Sequence, residues 1–277
     1  LVKAFMNCEK LQQHMRFLLA KGSLYKVYNG NLLYHGCIPL NEDGTFRNVT
    51  LWGRTYCGKE LYEVLDSYVR KGIVAVDEAE RERGRVTMWY IWLHENSPLF
   101  GKDKMATFER YFLSDPETHR ERKNPYYQLL EDEQVADRIL AEFGLPSQGS
   151  HIVNGHVPVR QGSGESPVKC GGKVLVIDGG FSKAYQGETG IAGYTLIYNS
   201  YGLILAAHEP FESTEAAIEK ESDIHSDSIV VKRVAERKLV GDTDVGREIK
   251  EKIQDLEKLL GAYRSGAIVE RFPIKGK

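Results

Sequence analysis

The chain has 277 residues, of which 42% are hydrophobic and 27% are charged, and its formal net charge is -2. This mixture is typical of a globular protein with one large or two modest domains, and the near-neutral charge does not mark the whole chain as a nucleic-acid binder. No apolar run approaches the ~20 residues that a membrane helix needs.

The amino terminus and the cysteines bear on the length of the protein and on its cellular location. The first ten residues lack the layout of a signal peptide. The sequence also lacks an initiator Met and starts in what reads as the middle of a helix, so we expect a piece of a longer protein. The four cysteines are widely spaced and form no Cys-x-x-Cys pair. We therefore expect reduced thiols in a cytoplasmic protein and no structural zinc site.

In chain order, the amino-terminal part predicts a helix, a hairpin, two more helices and a strand. Apolar residues at helical spacing precede Gly22, which ends the first helix. Asn29-Gly30 between two apolar runs is a strong hairpin signal. The last element is a short run rich in aromatic residues, which predicts a buried strand. These elements cover residues 3–21, 24–34, 59–71, 75–83 and 87–93.

The carboxy-terminal part predicts a loop, a helix, two strand-and-loop units, a hairpin and a tail of helices with loops. These elements cover residues 94–104, 128–143, 151–159, 173–180, 193–207 and 214–263. Strands mixed with helices predict an α/β fold. We expect a core over residues 1–212 and a mostly helical tail over residues 213–277.

Two histidines occur in similar settings. His35 and His156 each follow an apolar run and lie beside a glycine, with a proline shortly after. A strand that ends in a glycine turn projects its next side chain from the sheet edge, where functional sites often lie. Imidazole is a common metal ligand. The alternative is that each is a hydrogen-bonded structural histidine, and the matching contexts do not decide between the two.

Three motifs resemble those of the calcineurin-like and serine/threonine phosphatase superfamily. The segment 33–39, LYHGCIP, resembles His-Gly-Gly-x-x-Pro, and the segment 154–159, NGHVPV, resembles Gly-His-Thr-Pro-Val. The segment 176–180, VIDGG, resembles Ile-Asp-Thr-Gly. The sequences at 92–112 and 239–246 are similar to one branch, the class III fructose-1,6-bisphosphatases.

This resemblance implies a fold and an activity. The fold would be the carboxy-terminal part of a calcineurin-like metallophosphatase β-sandwich, flanked by helices and followed by a helical tail. The activity would be hydrolysis of the 1-phosphate of fructose 1,6-bisphosphate to fructose 6-phosphate and phosphate in gluconeogenesis, by a two-metal mechanism. His35 and His156 match the histidine ligands of the second metal, and manganese is the implied ion.

The superfamily's other motifs are Asp-x-His, Gly-Asp-x-x-Asp-Arg and Gly-Asn-His-Asp/Glu. In order they should precede Leu1, so no catalytic acid, base or nucleophile is expected in this chain. Asp223-Ile-His225 spells the first motif, but a charged, helix-like stretch precedes it and no metal role is expected. Asp178 is expected to make structural hydrogen bonds. Gly162-Ser-Gly164 lacks the ending of a phosphate-binding loop and is rejected as one.

A bisphosphate substrate needs positive groups at both ends. The candidates are Lys102 and Lys104, in the loop where related protein phosphatases place a phosphate-binding arginine, and more weakly Arg54. The alternative for the loop is a solvated surface segment.

Three functions remain open from the sequence. They are a sugar bisphosphatase, another calcineurin-like phosphoesterase acting on phosphoproteins or dinucleotide polyphosphates, and a non-catalytic fragment for oligomerisation or regulation. The first predicts that His35 and His156 lie within ~5 Å of each other, and that this chain alone has no appreciable turnover. The expected partners are the sugar bisphosphate, the amino-terminal part of the same protein, in the same or a separate chain, and further copies in a homo-oligomer. Neither nucleic acid nor membrane is expected.

Overall fold

The computed structural model describes residues 1–180, 182–211, 213–219, 221 and 226–269. In this part of the chain the helices are α1 (Val2–Met6), α2 (Glu9–Lys21), α3 (Gly58–Val74), α4 (Glu78–Leu93), α5 (Thr107–Phe112), α6 (Glu133–Glu142), α7 (Lys183–Thr189), α8 (Thr214–Glu219) and α9 (Asp244–Arg264). The strands are β1 (Tyr25–Tyr28), β2 (Asn31–Tyr34), β3 (Val49–Leu51), β4 (Arg54–Tyr56), β5 (His151–Asn154), β6 (Val168–Lys169), β7 (Val174–Val176), β8 (Gly193–Asn199), β9 (Gly202–His208) and β10 (Ser226–Arg233). None of the helices described is long and apolar enough to cross a membrane.

The largest sheet has the strand order β1-β2-β5-β7-β6 within the described residues. Its three inner strands β2, β5 and β7 are parallel, and the edge strands β1 and β6 are antiparallel to their neighbours. Every residue of β5 and β7 is buried, as expected for parallel strands covered on both faces. The three parallel strands therefore end at one edge of the sheet.

A second sheet, β10-β9-β8, is antiparallel and packs against the first. Val153 and Leu175 of the first sheet share a buried cluster with Leu203 of the second. The predicted hairpin at 193–207 is confirmed as β8 and β9. The prediction of helices with loops over 214–263 was wrong for residues 226–233, because these form β10 and pair with β9. The division at residue 212 stays a prediction.

The hairpin β1–β2 is confirmed. Its turn residues Asn29 and Gly30 both have positive φ, 51° and 77°, which suits the tight turns that match strand twist. Strand β2 then buries Leu32 and Tyr34 against Tyr62 of α3 and Leu140 of α6. The sheet and these two helices enclose the largest buried cluster, which lies directly beneath the end of β2.

The prediction of a strand at Thr87–Leu93 was wrong, because these residues continue α4. Gly84, Thr87 and Ile91 are the buried positions of this helix, and their spacing of three and four is helical. Trp89 and Trp92 are exposed. A strand here would have needed a neighbouring strand, whereas the helix needs only the α3 surface, where Gly84 packs directly on Gly72.

The other helical predictions are confirmed with changed bounds. The predicted helix 3–21 is divided into α1 and α2 at residues 7–8. The predicted helix 128–143 begins later, because the Asp132 carboxylate accepts the backbone N–H groups of Gln134 and Val135 and caps α6. The mixed α/β class is confirmed, and the calcineurin-like arrangement stays a prediction.

Candidate functional site

The candidate site lies at the carboxyl edge of the three parallel strands. His35 follows β2 directly, His156 lies two residues beyond β5, and Asp178 lies two residues beyond β7. The backbone N–H of Gly155 donates to the carbonyl of His35 over 2.9 Å, which ties the first two strand ends together. Such an edge is where ligands bind in many α/β proteins.

The two histidine side chains are in contact. Nε2 of His35 lies 3.1 Å from Nδ1 of His156, and the ring centroids are 4.9 Å apart. The predicted proximity is therefore confirmed, while the role of the two rings as metal ligands stays a prediction. His35 is exposed and His156 is half-buried, and both line the same cleft.

Hydrogen bonds orient the His156 ring. Its Nε2 lies 3.0 Å from the carbonyl oxygen of Phe100, which can only accept, so Nε2 carries the proton. Nδ1 of the neutral ring then presents its lone pair to His35. Burial lowers the pKa of His156, the Phe100 carbonyl opposes this, and His35 and Lys102 lower the pKa further. The lowered pKa favours the neutral form of the ring, which is the form that a metal ligand requires.

His156 has a strained backbone. Its φ is 69°, and the N–H of Val157 donates to the carbonyl of Gly155 over 2.9 Å, which closes a three-residue turn around it. Turns of this kind with positive φ are rare and strained, and strain of this sort concentrates at functional sites. The turn ends the extended path of β5 and directs the His156 imidazole toward His35.

The donor set fits one side of a metal ion. Two ligands that bind one ion at ~2.0–2.2 Å lie about 2.8–3.6 Å apart in right-angled or tetrahedral geometry, and the two imidazole nitrogens are 3.1 Å apart. A metal-bound histidine commonly donates its other N–H to a carbonyl, as His156 does to Phe100. However, no group of three or more His, Cys, Asp or Glu side chains in the described residues could hold a metal. The fit is therefore to part of a coordination shell.

Asn154 is a site residue that the sequence did not single out. Its side chain is 2% exposed, and its Nδ2 donates to the carbonyl of Gly36 over 3.2 Å. Its Oδ1 is buried and has no partner in the part of the chain that is described. A buried acceptor without a partner is costly, and this one lies two residues before His156. An asparagine at a strand end looks like an ordinary turn residue, so the sequence held no distinguishing signal.

Neighbouring candidates behave differently. Oδ1 of Asp178 accepts the N–H of Gly180 over 2.9 Å, a structural hydrogen bond of the kind expected. Gly162 and Gly164 lie in and after a single 3-10 turn, not between a strand and a helix. Asp223 and His225 lie outside the described residues.

Two cavities in the described structure share His156. The first, of about 790 Å³, is lined mainly by apolar side chains of α2, β2, β5 and α4, among them Met15, Leu18 and Leu33. The second, of about 760 Å³, is lined by basic and acidic side chains, Lys102 among them, together with apolar residues such as Leu130 and Val176. His156 therefore lies in the wall between an apolar cleft and a charged cavity, and His35 lines that wall on the apolar side.

The structure brings one of the three predicted substrate-binding cations to the site. Lys102 lines the charged cavity and pairs with Glu121 over 2.7 Å. Lys104 instead donates to the carbonyl of Thr118 over 2.8 Å, and Arg54 lies in the β3–β4 hairpin. Neither lines a cavity that contains His156. Lys123 and Arg160, which the sequence did not single out as binding residues, do line the charged cavity.

Comparison with known proteins places these features in one family. A family profile described as Firmicute fructose-1,6-bisphosphatase matches residues 1–265. The chain is 54% identical over 272 residues to a fructose-1,6-bisphosphatase class 3 of Clostridium novyi (strain NT), covering 98% of this chain and 41% of that relative. It is 56% identical over 271 residues to the protein of that name from Clostridium botulinum (strain Loch Maree / Type A3), with the same two coverages.

The Alkaliphilus metalliredigens (strain QYMF) protein of the same name is 54% identical over 274 residues, again covering 98% of this chain and 41% of the relative. The chain thus spans about two fifths of the length of these curated relatives. No solved structure matches it.

Proposed function

This chain belongs to the Firmicute fructose-1,6-bisphosphatase family, and from that premise we propose that it is part of an enzyme that hydrolyses the 1-phosphate of fructose 1,6-bisphosphate. The products would be fructose 6-phosphate and phosphate, the direction of gluconeogenesis. The observation that carries the proposal is the contact between Nε2 of His35 and Nδ1 of His156, at the carboxyl edge of parallel strands.

In this proposal His35 and His156 hold one divalent ion of a pair, with manganese as the expected metal. When bound, such ions stabilise charge on the phosphoryl oxygens and supply a nucleophile at neutral pH. This chain's own contribution is positional. The Phe100 carbonyl fixes the His156 ring, and the positive φ of His156 aims Nδ1 at the metal side. Lys102 supplies positive charge next to His156.

The remaining metal ligands and the catalytic acid are proposed to come from polypeptide outside this chain. Three observations support this: the relatives are longer, the described residues contain no group of three or more potential metal ligands, and both histidines line an apolar cleft. The same protein would supply this polypeptide, in one chain or as a separate one.

Two further expectations belong to the proposal. Homo-oligomer formation is supported by the exposed apolar residues Ile253, Leu256 and Leu260 along α9. A cytoplasmic location is supported by the cysteines, all four of which are free thiols.

The test is an activity assay of the natural polypeptide that contains this chain, with Mn²⁺ added. We expect phosphate release from fructose 1,6-bisphosphate, and ³¹P NMR should show fructose 6-phosphate as the product. A phosphopeptide and a dinucleotide polyphosphate serve as competing substrates. Hydrolysis of either of these without hydrolysis of the sugar bisphosphate would contradict the proposal, as would robust turnover by the 277-residue chain alone.

A further inference from the structure

The charged cavity beside His156 has more positive charge than its carboxylates neutralise. Five basic side chains line it: Lys102, Arg110, Lys123, Arg160 and Lys169. Three acidic side chains, Glu121, Glu165 and Glu188, line it as well. The pairing of these groups decides where an anion could bind.

Two of the lysines are held side by side. Lys102 and Lys123 form an antiparallel bridge, flanked by backbone hydrogen bonds of 2.9 Å from Asp103 to Arg122 and from Asn124 to Gly101. Residues directly opposite in such a bridge project from the same face, and like charges there are destabilising. Glu121 pairs with Lys102 over 2.7 Å. The ammonium of Lys123 has no carboxylate partner within the described part of the chain, so one positive charge of the pair is left over.

Arg160 supplies a second unpaired cation. Its backbone N–H donates to the Glu165 carboxylate over 3.0 Å, and Lys169 lies 3.4 Å from the same carboxylate. Glu165 therefore fixes the turn that carries Arg160 and neutralises Lys169. The Arg160 guanidinium itself pairs with no carboxylate among the residues described. It follows His156 by four residues, a span of at most about 14 Å.

We infer that Lys123 and Arg160 bind the phosphate of the sugar bisphosphate that is not hydrolysed. This inference rests on the proposed function, because it assigns the reacting phosphate to the histidine side of the cavity. A guanidinium can bind a phosphate through two parallel N–H···O bonds, and an ammonium adds a point charge beside it. A bound anion would also reduce the repulsion between Lys102 and Lys123, which explains why two lysines can lie opposite each other in the bridge.

The experiment compares two substrates that differ only in that phosphate. Arg160→Gln and Lys123→Gln are made in the natural polypeptide, and kcat and KM are measured for fructose 1,6-bisphosphate and for fructose 1-phosphate. Each variant should raise KM for the bisphosphate about tenfold or more, the usual size of a lost charge-assisted hydrogen bond. The values for fructose 1-phosphate should stay within about twofold.

Two further variants are controls. Arg122→Gln removes an exposed cation from the same loop but outside the cavity lining, and should change neither substrate. Arg160→Lys keeps the positive charge but loses the guanidinium that can donate two parallel hydrogen bonds. Its KM for the bisphosphate should therefore lie between the values for wild type and Arg160→Gln. Equal KM increases for both substrates would overturn the inference, because Arg160 would then act on the reacting phosphate or on the fold. An unchanged KM for the bisphosphate would overturn it as well.

A binding measurement separates this inference from the proposed function. If the natural polypeptide does not hydrolyse fructose 1,6-bisphosphate, the proposed function fails. Calorimetric titration with fructose 6-phosphate in EDTA then tests the anion site alone. Binding that weakens about tenfold in Arg160→Gln but not in Arg122→Gln supports the site. Absent binding, or binding that both variants retain, overturns it.

Discussion

The two cavities that share His156 are similar in volume but differ in their share of charged side chains. The first is walled by Met15, Leu18 and Leu33, with helix α2 along one side. The second is walled by ionisable side chains, several of them joined in ion pairs such as Lys102–Glu121 and Lys169–Glu165. One ring, His156, therefore faces an environment suited to protein packing and another suited to an anion.

The two cavities also differ in what holds their side chains in place. In the charged cavity, ion pairs hold the ammonium groups of Lys102 and Lys169 in place, whereas those pairs leave Lys123 and Arg160 available to an anion. The apolar cleft contains one ion pair, Asp66–Arg70, but most of its lining surface is apolar. Substitutions in the charged cavity and in the apolar cleft should therefore affect different properties of the protein. Substitutions of His35 and His156 should have the largest effects.

Replacement of the wall residues should have the greatest effect. In the natural polypeptide, His35→Gln and His156→Gln should each lower metal-dependent phosphatase activity at least about 100-fold, since even outer partners of metal ligands are worth 10–100-fold. The double variant should be little worse than either single one, because both rings would hold the same ion. Activity with Mn²⁺ and bound metal content are the measurements. His14→Gln, an exposed histidine of α2, is the control, and losses that add fully in the double variant would contradict a shared ion.

A change in the charged cavity should have a moderate effect in the opposite direction. Glu121→Gln keeps an acceptor for the N–H of Ala106 but removes the charge that neutralises Lys102. One additional unit of positive charge should lower KM for fructose 1,6-bisphosphate about three- to tenfold, the range set by a solvent-exposed to partly buried Coulomb interaction. Glu117→Gln is the matched control, because Glu117 is exposed and forms an ion pair with Arg120, outside the cavity lining. A raised KM would mean that Glu121 serves mainly to align Lys102.

A change in the apolar cleft should be detectable without activity. The 277-residue chain should bind an apolar fluorescent dye, and Leu18→Glu should reduce the fluorescence by roughly half. Leu18 is 60% exposed, so the fold should tolerate the substitution. Phe17→Glu changes the preceding residue, which does not line the cleft, and should have a smaller effect. Equal losses in the two variants would show that the dye does not report on the cleft.

The smallest effect should come from the other end of β5, remote from the wall. Burial lowers the pKa of His151, and Lys232 and Lys238 lower it further, against the opposing hydrogen bond with Gly172. The unfolded chain therefore takes up a proton first as pH falls below about 6.5. Stability is complete above that pH and declines as pH falls toward the lowered pKa of the folded state.

Denaturant unfolding at pH 7.5 and pH 5.5 measures this decline. The free energy of unfolding should change less between these two pH values in His151→Asn, which keeps a donor for the Gly172 carbonyl. The difference between the two proteins should be below about 1.4 kcal/mol, the equivalent of one pKa unit. An identical pH dependence in both proteins would contradict a neutral buried His151. Activity per folded molecule should be unaffected, which separates this histidine from His156.

Local signals in the sequence were enough for several elements. Asn29-Gly30 predicted the first hairpin, because two adjacent residues that tolerate positive φ define a tight turn without help from the rest of the chain. The apolar runs at β5, β7 and β8–β9 were also recognisable. The run 87–93 was misassigned because a short apolar segment does not distinguish strand from helix. Here the decision came from Gly72 and Gly84, which allow α3 and α4 to pack closely.

By itself the sequence determined the α/β class, the family resemblance and the two histidines at strand ends, since each depends on residues close together in the chain. Only the tertiary structure showed that the rings of His35 and His156 are in contact, because parallel pairing of β2 with β5 brings together two residues that are 121 positions apart. It also decided which cations share a cavity with them. The bridge with Lys102 places Lys123 in the charged cavity, and the turn held by the Glu165 carboxylate places Arg160 there. Contacts of this kind leave no local pattern in a single sequence.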